Sequence, residues 1–438
     1  MKLNKVASNA FWIVFCKLIK AILVLIITSL TARYLGPSNY GLISYAASLT
    51  TFVAPIMKLG LDSTMVYEII NNKDKEGEVI GTSIIMCLIS GLFCLIGIIC
   101  FVFFVNTGES NTLIVTSLYG LLLIFQALEM IQYWFQAKLL SKYSSIVMLI
   151  SYVIIALFQF LLLITKQNVY WFALSHSLDY LIISVALIMI YLKKSKYKLS
   201  FSLPLVKTLF NNSKYYIISS LMVSIFAQTD RIMIKLFMSN EHVGYYSAAL
   251  TCATMFGFVF AAIIDSIRPI AYEKKKLSNQ KFEQSITEMY SIIIYFSLFV
   301  SLIMTIFSPI IIEIMYGKDY GNSIEILRLI VWFSTFSYLG TIRNIWITAE
   351  GKQKYLWIIN LSGAILNIIL NYILIPVYGT MGAAFASLVT QIFTNVIIGF
   401  IIKPIKNNNT LMLKSLDIRL LKPIVKGIVE RKKKKYEK

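Results

Sequence analysis

Residues 31–48, TARYLGPSNYGLISYAAS, place a group of polar and turn-forming residues between two long apolar runs. Gly36 with Pro37 suits the end of one helix and the start of the next, and Ser38 or Asn39 can cap the helix that follows. The apolar run on each side is long enough to cross a bilayer as a helix. The stretch therefore predicts a short turn between two membrane-spanning helices.

The composition of the whole chain agrees with a membrane location. Of its 438 residues, 58% are hydrophobic and 14% are charged, and the mean hydropathy is +0.74. A water-soluble globular protein could not cover such a chain with polar surface, and no alternating ten-residue pattern of a barrel is present. We predict an all-α integral membrane protein of about twelve transmembrane helices. The predicted spans are 10–32, 41–67, 79–105, 113–137, 145–165, 169–191, 213–237, 243–270, 287–316, 322–348, 355–375 and 382–402.

The formal net charge of +20 follows the sidedness of these spans. If the connections alternate sides, most of the 41 Lys and Arg residues fall on one side, together with both ends of the chain. This asymmetry is typical of the cytoplasmic face, so we expect a multi-pass protein of the plasma membrane with both termini in the cytoplasm. The basic excess does not indicate binding to nucleic acid, because the chain leaves no room for a nucleic-acid-binding module.

The cysteines give no indication of a metal or cofactor. All five lie inside apolar runs, without a CxxC pair and without histidine at ligand spacing. Small buried or lipid-facing side chains are the usual role of such residues. We therefore predict no metal site and no cofactor.

A polar segment after the sixth predicted span divides the chain into two sets of six helices. Internal similarity favours a duplication: GLISYAAS at 41–48 aligns with GYYSAALT at 244–251, and Asp62-Ser63 falls on Asp265-Ser266 at the same offset. The predicted regions are an N-terminal six-helix lobe at 1–192, a cytoplasmic linker at 193–212, a C-terminal six-helix lobe at 213–402 and a basic cytoplasmic tail at 403–438. Spaced leucines and isoleucines in the tail favour an amphipathic helix on the inner leaflet, with a disordered basic tail as the alternative.

Three segments resemble one family of transporters. They are ARYLGPSNYGLISYA at 32–46 following NKVASNAFWIV at 4–14, the region 347–391 with its Asn-rich helix and Pro-x-Tyr-Gly turn, and YWFQAKLLSKYSSI at 133–146. Together they resemble the polysaccharide flippases, the Wzx or O-antigen translocase family of the superfamily that also holds the MATE transporters and the lipid II flippases. The resemblance implies a MATE-like fold of two six-helix lobes and a lipid-linked oligosaccharide as substrate.

Catalysis is not indicated by the sequence. No Walker-type GxxxxGK[ST] motif occurs, which argues against an ATP-driven pump. An extracytoplasmic polysaccharide polymerase or ligase is the enzymatic alternative, but the predicted outer connections are too short for loops that carry catalytic sites. We therefore expect a transporter and no enzyme.

Basic residues inside the predicted spans are the most informative functional feature. A charged side chain at mid-bilayer costs roughly 2.5–3.5 kcal/mol on insertion scales, so such residues usually face a cavity or a partner. The candidates for binding the pyrophosphate or glycan head of the substrate are Lys17, Lys20, Lys58, Arg268 and Arg343 in the inner halves and Arg231 in an outer half. Charge-assisted hydrogen bonds from such residues suit a pyrophosphate. Each of them also has a structural alternative, as a partner of an acid or a side chain that reaches the headgroups.

Acidic residues and histidine within the spans are the candidates for ion coupling: Asp62, Asp265, Glu129, His176 and Asp179. His176 and Asp179 are spaced i, i+3 and share a helix face. Pro55 with Gly60, Pro269 and Pro309 interrupt or end predicted spans and are candidate hinges.

Together these features predict a flippase. By alternating access it would move a polyprenyl-pyrophosphate-linked oligosaccharide from the inner to the outer leaflet for surface polysaccharide such as capsule or O-antigen. Polysaccharide assembly proteins such as a polymerase or glycosyltransferases are the expected protein partners. The second candidate is a cation-coupled exporter of small molecules, although the basic residues within the spans count against an exporter of cationic drugs.

Overall fold

A computed structural model describes residues 2–420, with side chains described for 12–72 and 74–419. Helices make up nearly all of the described chain, and no strand occurs in it. Nine helical segments of this part are long and apolar enough to cross a membrane. The predicted all-α membrane fold is therefore confirmed.

The number of predicted spans agrees with this finding once the kinks are considered. Two of the nine segments, Trp12–Met57 and Gln353–Ile401, each contain two predicted spans. The helix Ser323–Ala349 corresponds to the predicted span at 322–348, although it is not among the nine. The described chain thus holds a helical counterpart for each of the twelve spans.

Contacts divide the chain into two compact units. Along the sequence, unit 1 ends at Ser247 and unit 2 begins at Ala248. The predicted division into six-helix lobes around 193–212 stays a prediction. Unit 1 contains α1 (Lys2–Met57), α2 (Met65–Asn71), α3 (Glu76–Val105), α4 (Ser110–Gly120), α5 (Leu122–Glu129), α6 (Gln132–Ala137), α7 (Ser141–Ile164), α8 (Val169–Lys194), α9 (Leu203–Phe237) and the start of α10 (Asn240–Thr254). Within unit 1, α1 packs against α3, α4, α7 and α9.

The turn at residues 31–48 is a single kink inside α1. Gly36 adopts φ 71° and ψ 170°, a conformation that a residue with a Cβ rarely takes, and the helix continues from Pro37. The predicted cap by Asn39 is wrong: its side-chain amide donates a hydrogen bond to the carbonyl of Leu35 at 3.2 Å. The side chain therefore satisfies a carbonyl at the end of the first segment, because the kink leaves that carbonyl without its usual helical partner.

Gly41 and Gly244, which the internal alignment pairs, each lie against the segment that contains the other glycine. A Cβ on Gly41 would lie 1.7 Å from the carbonyl oxygen of Asn240, and a Cβ on Gly244 would lie 2.1 Å from the carbonyl oxygen of Pro37. Asn240 is the aligned counterpart of Pro37, and Gly244 is that of Gly41. The two helices therefore cross in a reciprocal contact that excludes any larger residue at either glycine.

The second predicted span ends earlier than expected. Helix α1 stops at Met57, and Leu59 and Gly60 both have positive φ, at 52° and 65°. A short 3₁₀ turn, Leu61–Ser63, follows before α2 begins. The backbone thus breaks at Leu59 and Gly60, whereas Pro55 lies inside α1, and Lys58 lies at the break. The hinge at Pro55 with Gly60 stays a prediction.

The other two candidate hinges differ from each other. Pro309 lies in the first turn of α13 (Ser308–Tyr316), directly after a helix end, where proline is well tolerated. Pro269 lies inside α11 (Gly257–Leu277), which continues past it. The expectation that Pro269 ends or interrupts its helix is therefore wrong.

The polar segment before α9 lies against α3. The amide of Ser200 donates to the carbonyl of Gly77 at 3.2 Å, and the amide of Ser202 donates to Thr82 Oγ1 at 3.0 Å. A Cβ at Gly77 or Gly81 would lie within 2.3 Å of a backbone oxygen of this segment. Glycines on α3 therefore allow this part of the linker to pack on a helix.

Unit 2 contains the rest of α10, then α11, α12 (Asn279–Ile306), α13, α14 (Ser323–Ala349), α15 (Leu356–Ile392), a π-helix at Phe393–Ile397, α16 (Ile398–Ile401) and α17 (Lys406–Lys414). Helix α15 is kinked at Gly379, which has φ 59°. Helix α12 packs against α11, α14 and α17, around a core that includes Phe282, Tyr290 and Trp346.

The start of the predicted basic tail is folded. Helix α17 packs on α12 through a hydrogen bond from the Tyr290 hydroxyl to Asn408 Oδ1 at 3.0 Å. Tyr295 donates to the carbonyl of Leu416 at 2.5 Å. The remainder of the predicted amphipathic tail, from residue 421 onward, lies outside the described residues.

Candidate functional site

Five ionisable side chains of unit 1 lie near one another, and we call them the inner cluster. They are Lys20 on α1, Lys58 at the backbone break, Asp62 in the 3₁₀ turn, Glu129 at the end of α5 and Asp179 on α8. All five are among the residues that the sequence singled out. The fold of unit 1 therefore brings residues far apart in sequence into one charged region.

Lys20 and Asp179 form the paired part of the inner cluster. Lys20 Nζ lies 3.6 Å from Asp179 Oδ2 and 5.1 Å from the centre of the Tyr152 ring. Asp179 Oδ1 also accepts a hydrogen bond from Ser151 at 2.7 Å. The side chain of Asp179 is only 13% exposed, so this carboxylate is held in place by two partners of different charge.

Glu129 and Lys58 form the part that carries no ion pair. Glu129 is 7% exposed and lies near enough to Lys58, Lys20 and Asp179 to interact electrostatically with each. Among the described residues, neither Glu129 nor Lys58 has an ion-pair partner within 4 Å. A buried carboxylate near two ammonium groups, without a direct partner, can take up or release a proton. The two ammonium groups can also bind an incoming anion in place of the carboxylate.

The inner cluster is not purely cationic, although the sequence indicated the basic residues alone as headgroup ligands. The inner cluster holds two lysines and three carboxylates, and Asp62 and Lys58 both lie close to the thiol of Cys87. Lys17, three residues before Lys20, is exposed and outside these contacts. An anionic headgroup would therefore meet lysines whose charge nearby carboxylates already offset in part.

Sequence reasoning missed the neutral side chains that surround the inner cluster. Ser151 and Tyr152 lie on α7, and Tyr133 and Tyr180 lie near Glu129. The signal that could have found the first two is the polar pair within the apolar run of α7. Hydroxyl groups at such a site can donate hydrogen bonds to phosphate oxygens.

His176 lies one helical turn from Asp179 on α8, and its environment is aromatic. Its ring centre is 4.9 Å from that of Tyr119, with the planes tilted by 38°. No hydrogen bond joins the imidazole to another described residue. The structure thus places this ion-coupling candidate beside the inner cluster.

Arg231 lies elsewhere in unit 1, on the part of α9 that approaches α10. Its Nη2 donates to Gln228 Oε1 at 2.6 Å. The neighbouring Asp230 accepts a hydrogen bond from the Tyr246 hydroxyl. Arg231 also interacts electrostatically with Tyr119, the ring that packs on His176. No ion pair or hydrogen bond within the described residues joins Arg231 to Lys20 or Lys58.

A further ion pair of unit 1 joins Glu109, in the connection between α3 and α4, to Lys235 on α9. Lys235 Nζ lies 2.7 Å from both carboxylate oxygens of Glu109, and its side chain is 3% exposed. Partial burial alone would raise the pKa of Glu109. Hydrogen bonds from Lys235 and Thr112 outweigh that effect, so its pKa lies below the usual value.

The candidates of unit 2 fall into two different environments. Arg268 and Asp265 pair with each other at 2.8 Å on α11, with side chains 42% and 62% exposed. Arg343 on α14 is 4% exposed. Its guanidinium donates to the carbonyl of Thr394, in the π-helix, and to Asn344 Oδ1 at 3.1 Å. Arg343 therefore binds groups of its own unit.

Metal binding has no geometric support in the described chain. No group of three or more His, Cys, Asp and Glu side chains in that part is arranged to hold a metal ion. The inner cluster is therefore described by ion pairs and hydrogen bonds alone.

Comparison with known proteins gives consistent results. A family model described as "Polysaccharide biosynthesis protein" matches residues 6–273, and one described as "MatE" matches residues 216–373. A putative O-antigen transporter of Shigella flexneri is 24% identical over 408 residues, which cover 86% of this chain and 93% of the relative. The capsular polysaccharide biosynthesis protein CapF of Staphylococcus aureus is 23% identical, with 88% and 96% covered.

The fold agrees with a solved structure of the lipid II flippase MurJ in an inward closed conformation. The TM-score is 0.73 at 16% identity, and the alignment covers 93% of this chain and 91% of that one. The first family model spans more than half of the sequence. The chain therefore belongs to the polysaccharide biosynthesis protein family, and the resemblance to polysaccharide flippases within the MATE and lipid II flippase superfamily is confirmed.

Proposed function

We propose that this protein moves a polyprenyl-pyrophosphate-linked oligosaccharide from the inner to the outer leaflet for the synthesis of a surface polysaccharide. The single observation that carries the proposal is the family match over residues 6–273. The names of the relatives, an O-antigen transporter and a capsular polysaccharide protein, support the same substrate class. We further propose that the protein acts as a transporter without enzymatic activity.

The inner cluster supplies a way to hold the pyrophosphate. Lys58 has no ion-pair partner among the described residues, so its ammonium group is available to an anion. Lys20, at 3.6 Å from Asp179, is held loosely enough to exchange that carboxylate for a phosphate oxygen. Protonation of Glu129 would remove one competing negative charge, which gives the site a route to proton coupling.

Transport of the sugar needs a path that remains hydrated. Each hydroxyl group moved into hydrocarbon without a hydrogen-bond partner costs on the order of 2–7 kcal/mol, so unaided flipping of a glycan is negligible. Outward movement of one negative charge along an inside-negative potential releases about 2.3 kcal/mol per 100 mV. An anionic head can therefore be exported without ATP if the protein provides alternating access.

The setting follows from the same proposal. The protein would lie in the plasma membrane with both termini in the cytoplasm, as its distribution of basic residues favours. Glycosyltransferases would supply the lipid-linked unit on the inner side, and a polymerase would consume it on the outer side. These partners are proposed from the chemistry of the substrate and product.

The test is the leaflet distribution of the lipid-linked oligosaccharide in cells that lack the protein and in cells that regain it. We expect the unit to accumulate on the cytoplasmic side and to be released by the intact chain. A unit that reaches the outer leaflet normally but remains unpolymerised would instead indicate a polymerase. Unchanged glycans would overturn the proposal and favour export of small molecules.

A further inference from the structure

Unit 1 contains an apolar groove that the proposed headgroup site does not use. Its volume is about 830 Å³, and it lies between the second half of α1, the middle of α3 and both ends of α9. The lining residues that matter below are Ile56, Leu59, Met86, Ser90, Phe93, Gly97, Phe101 and Thr229. Pockets of this volume hold drug-sized ligands.

The polar atoms in the wall of this groove are already satisfied. The hydroxyl of Ser90 donates to the carbonyl of Ile56 at 2.9 Å, and that of Thr229 donates to the carbonyl of Ile225 at 2.6 Å. The remaining lining side chains are almost all aliphatic, aromatic or sulfur-containing. Such a wall suits a hydrocarbon and offers little to a polar solute.

The groove is long and runs with the helices. Met86 and Phe101 line it on α3, and the helical rise of 1.5 Å per residue separates them by about 22 Å along the axis. The hydrocarbon core of a bilayer is about 30 Å thick. A chain lying in the groove would therefore remain in contact with the protein over most of the hydrocarbon core.

One end of the groove lies beside Lys58 of the inner cluster. Ile56 and Leu59 line the groove, and Lys58 stands between them in sequence. Cys87, next to the lining residue Met86, donates a weak hydrogen bond to the carbonyl of Lys58 at 3.7 Å. Lys58 does not itself line the groove, but Ile56 and Leu59 keep it close to this end. An apolar groove with a lysine beside one end is complementary to an amphiphile whose phosphate is attached directly to its hydrocarbon.

We propose that this groove binds the polyprenyl tail of the lipid carrier while Lys58 contacts its pyrophosphate. The inference rests on the proposed function, because it assumes that a polyprenyl-linked substrate is carried. It adds a tail site on α1, α3 and α9, which makes the protein select its substrate by lipid as well as by headgroup.

Gly97 allows a sharp test, because a Cβ at this position meets no atom within 4 Å. The G97W substitution would fill the groove without a backbone clash. The matched control is I96W, since Ile96 is 49% exposed on the same helix and does not line the groove. Both variants add a tryptophan to an exposed helix surface at the same depth.

The measurement is the affinity of the full-length protein in nanodiscs for undecaprenyl pyrophosphate, farnesyl pyrophosphate and inorganic pyrophosphate. We expect the long-tailed ligand to bind most tightly and G97W to weaken it about tenfold or more, because a few buried methylene groups carry that much affinity. Inorganic pyrophosphate should bind equally to the intact protein, G97W and I96W. Affinity that is independent of tail length, or equal in G97W and I96W, would overturn the tail site.

A photocrosslink separates the carrier from an ordinary phospholipid chain. Phe93 and Phe104 lie on α3 and are equally exposed, at 71% and 72%, but only Phe93 lines the groove. With p-benzoylphenylalanine at position 93 we expect a crosslink to the polyprenyl carrier, and at position 104 a crosslink to bulk phospholipid. Phospholipid recovered from both positions would overturn the proposal.

These results can be told apart from a failure of the proposed function. If the intact protein restores the outer-leaflet pool of lipid-linked oligosaccharide and G97W does so equally well, the tail site is wrong and the flippase stands. If the intact protein leaves that pool unchanged, the proposed function itself fails.

Discussion

The inner cluster of unit 1 and the Arg343 site of unit 2 differ in whether their buried charges already have direct partners. In the inner cluster, Lys58 and Glu129 lie near each other without a direct ion pair among the described residues. Arg343 is 4% exposed, and its guanidinium donates to a backbone carbonyl and an amide oxygen. The first arrangement leaves charges available to a ligand. In the second, the charged side chain is used for hydrogen bonds that hold two helices together.

The π-helix gives a physical reason for the second arrangement. A helix that widens to i→i+5 hydrogen bonds leaves a carbonyl without its usual partner. Thr394 lies in this π-helix and its carbonyl accepts from Arg343. An arginine can satisfy such a group from a neighbouring helix because its planar fork presents several donors. We infer that Arg343 stabilises unit 2, although the sequence indicated it as a headgroup ligand.

The largest effect on stability is expected from Arg343. Replacement by lysine keeps a buried charge but removes the fork, so we expect a cost of about 2–5 kcal/mol and a marked fall in the thermal midpoint of the detergent-purified protein. The matched control is R268K, because Arg268 pairs with Asp265 at an exposed position, where an ion pair is worth about 0–1 kcal/mol. Equal midpoints for R343K and R268K would remove the structural role assigned to Arg343.

The second effect is on transport and should leave the fold intact. In K58Q the ammonium group that has no ion-pair partner in the described chain is lost, so we expect the rate of oligosaccharide flipping to fall about tenfold or more with an unchanged thermal midpoint. K58R should restore a large part of the rate. K17Q serves as the control, since Lys17 is exposed and outside the contacts of the inner cluster.

A loss in K17Q as large as that in K58Q would mean that general surface charge, and not the inner cluster, draws the anion. In that case the contrast between the two units would not concern the binding of substrate. A K58Q protein that flips normally would remove Lys58 from the site altogether.

The third effect concerns pH and the role of Glu129. When Glu129 is ionised it competes with phosphate for Lys20 and Lys58, so binding of the glycosylated carrier to the intact protein should weaken as the pH rises. A carrier whose two phosphates are both esterified does not itself titrate near neutral pH, which makes it the suitable ligand. In E129Q we expect tighter binding at neutral pH and a flatter pH dependence. An unchanged pH profile in E129Q would show that Glu129 is not the group responsible.

The sequence predicted the fold well because the physical rules for membranes are strict. Helices must satisfy their own hydrogen bonds in hydrocarbon, so long apolar runs and Gly36 with its proline were sufficient to place the spans. For the inner cluster, the sequence indicated its lysines and its acids as two separate sets of candidates. Lys20 and Asp179 lie 3.6 Å apart although they are far apart in sequence, and no pattern in one chain states that contact. The carboxylates therefore appeared as ion-coupling candidates, separate from the lysines they surround.

The role of Arg343 could not be read from its position in a span. Its partner is the backbone of Thr394, and a backbone carbonyl has no sequence signature. The same limit applies to Gly77 and Gly81, because nothing in the sequence indicates that backbone oxygens of the linker lie against them. Tertiary contacts made through the main chain are the part of this fold that composition and periodicity did not predict.

The smallest effect is expected at the Glu109–Lys235 pair, which combines features of both environments. Lys235 is buried like Arg343, but its partner is a carboxylate with 41% of its side chain exposed. Because the pKa of Glu109 is lowered in the folded protein, the pair contributes stability above the unfolded pKa of this group, and the contribution is lost as the pH falls through the lowered value. We expect E109Q to lower the thermal midpoint slightly at neutral pH, by an amount that corresponds to about 1 kcal/mol, and to match the intact protein in strong acid. The same difference between E109Q and the intact protein at all pH values would mean that Thr112 and Lys235 recognise the shape of this side chain and that its charge is not required.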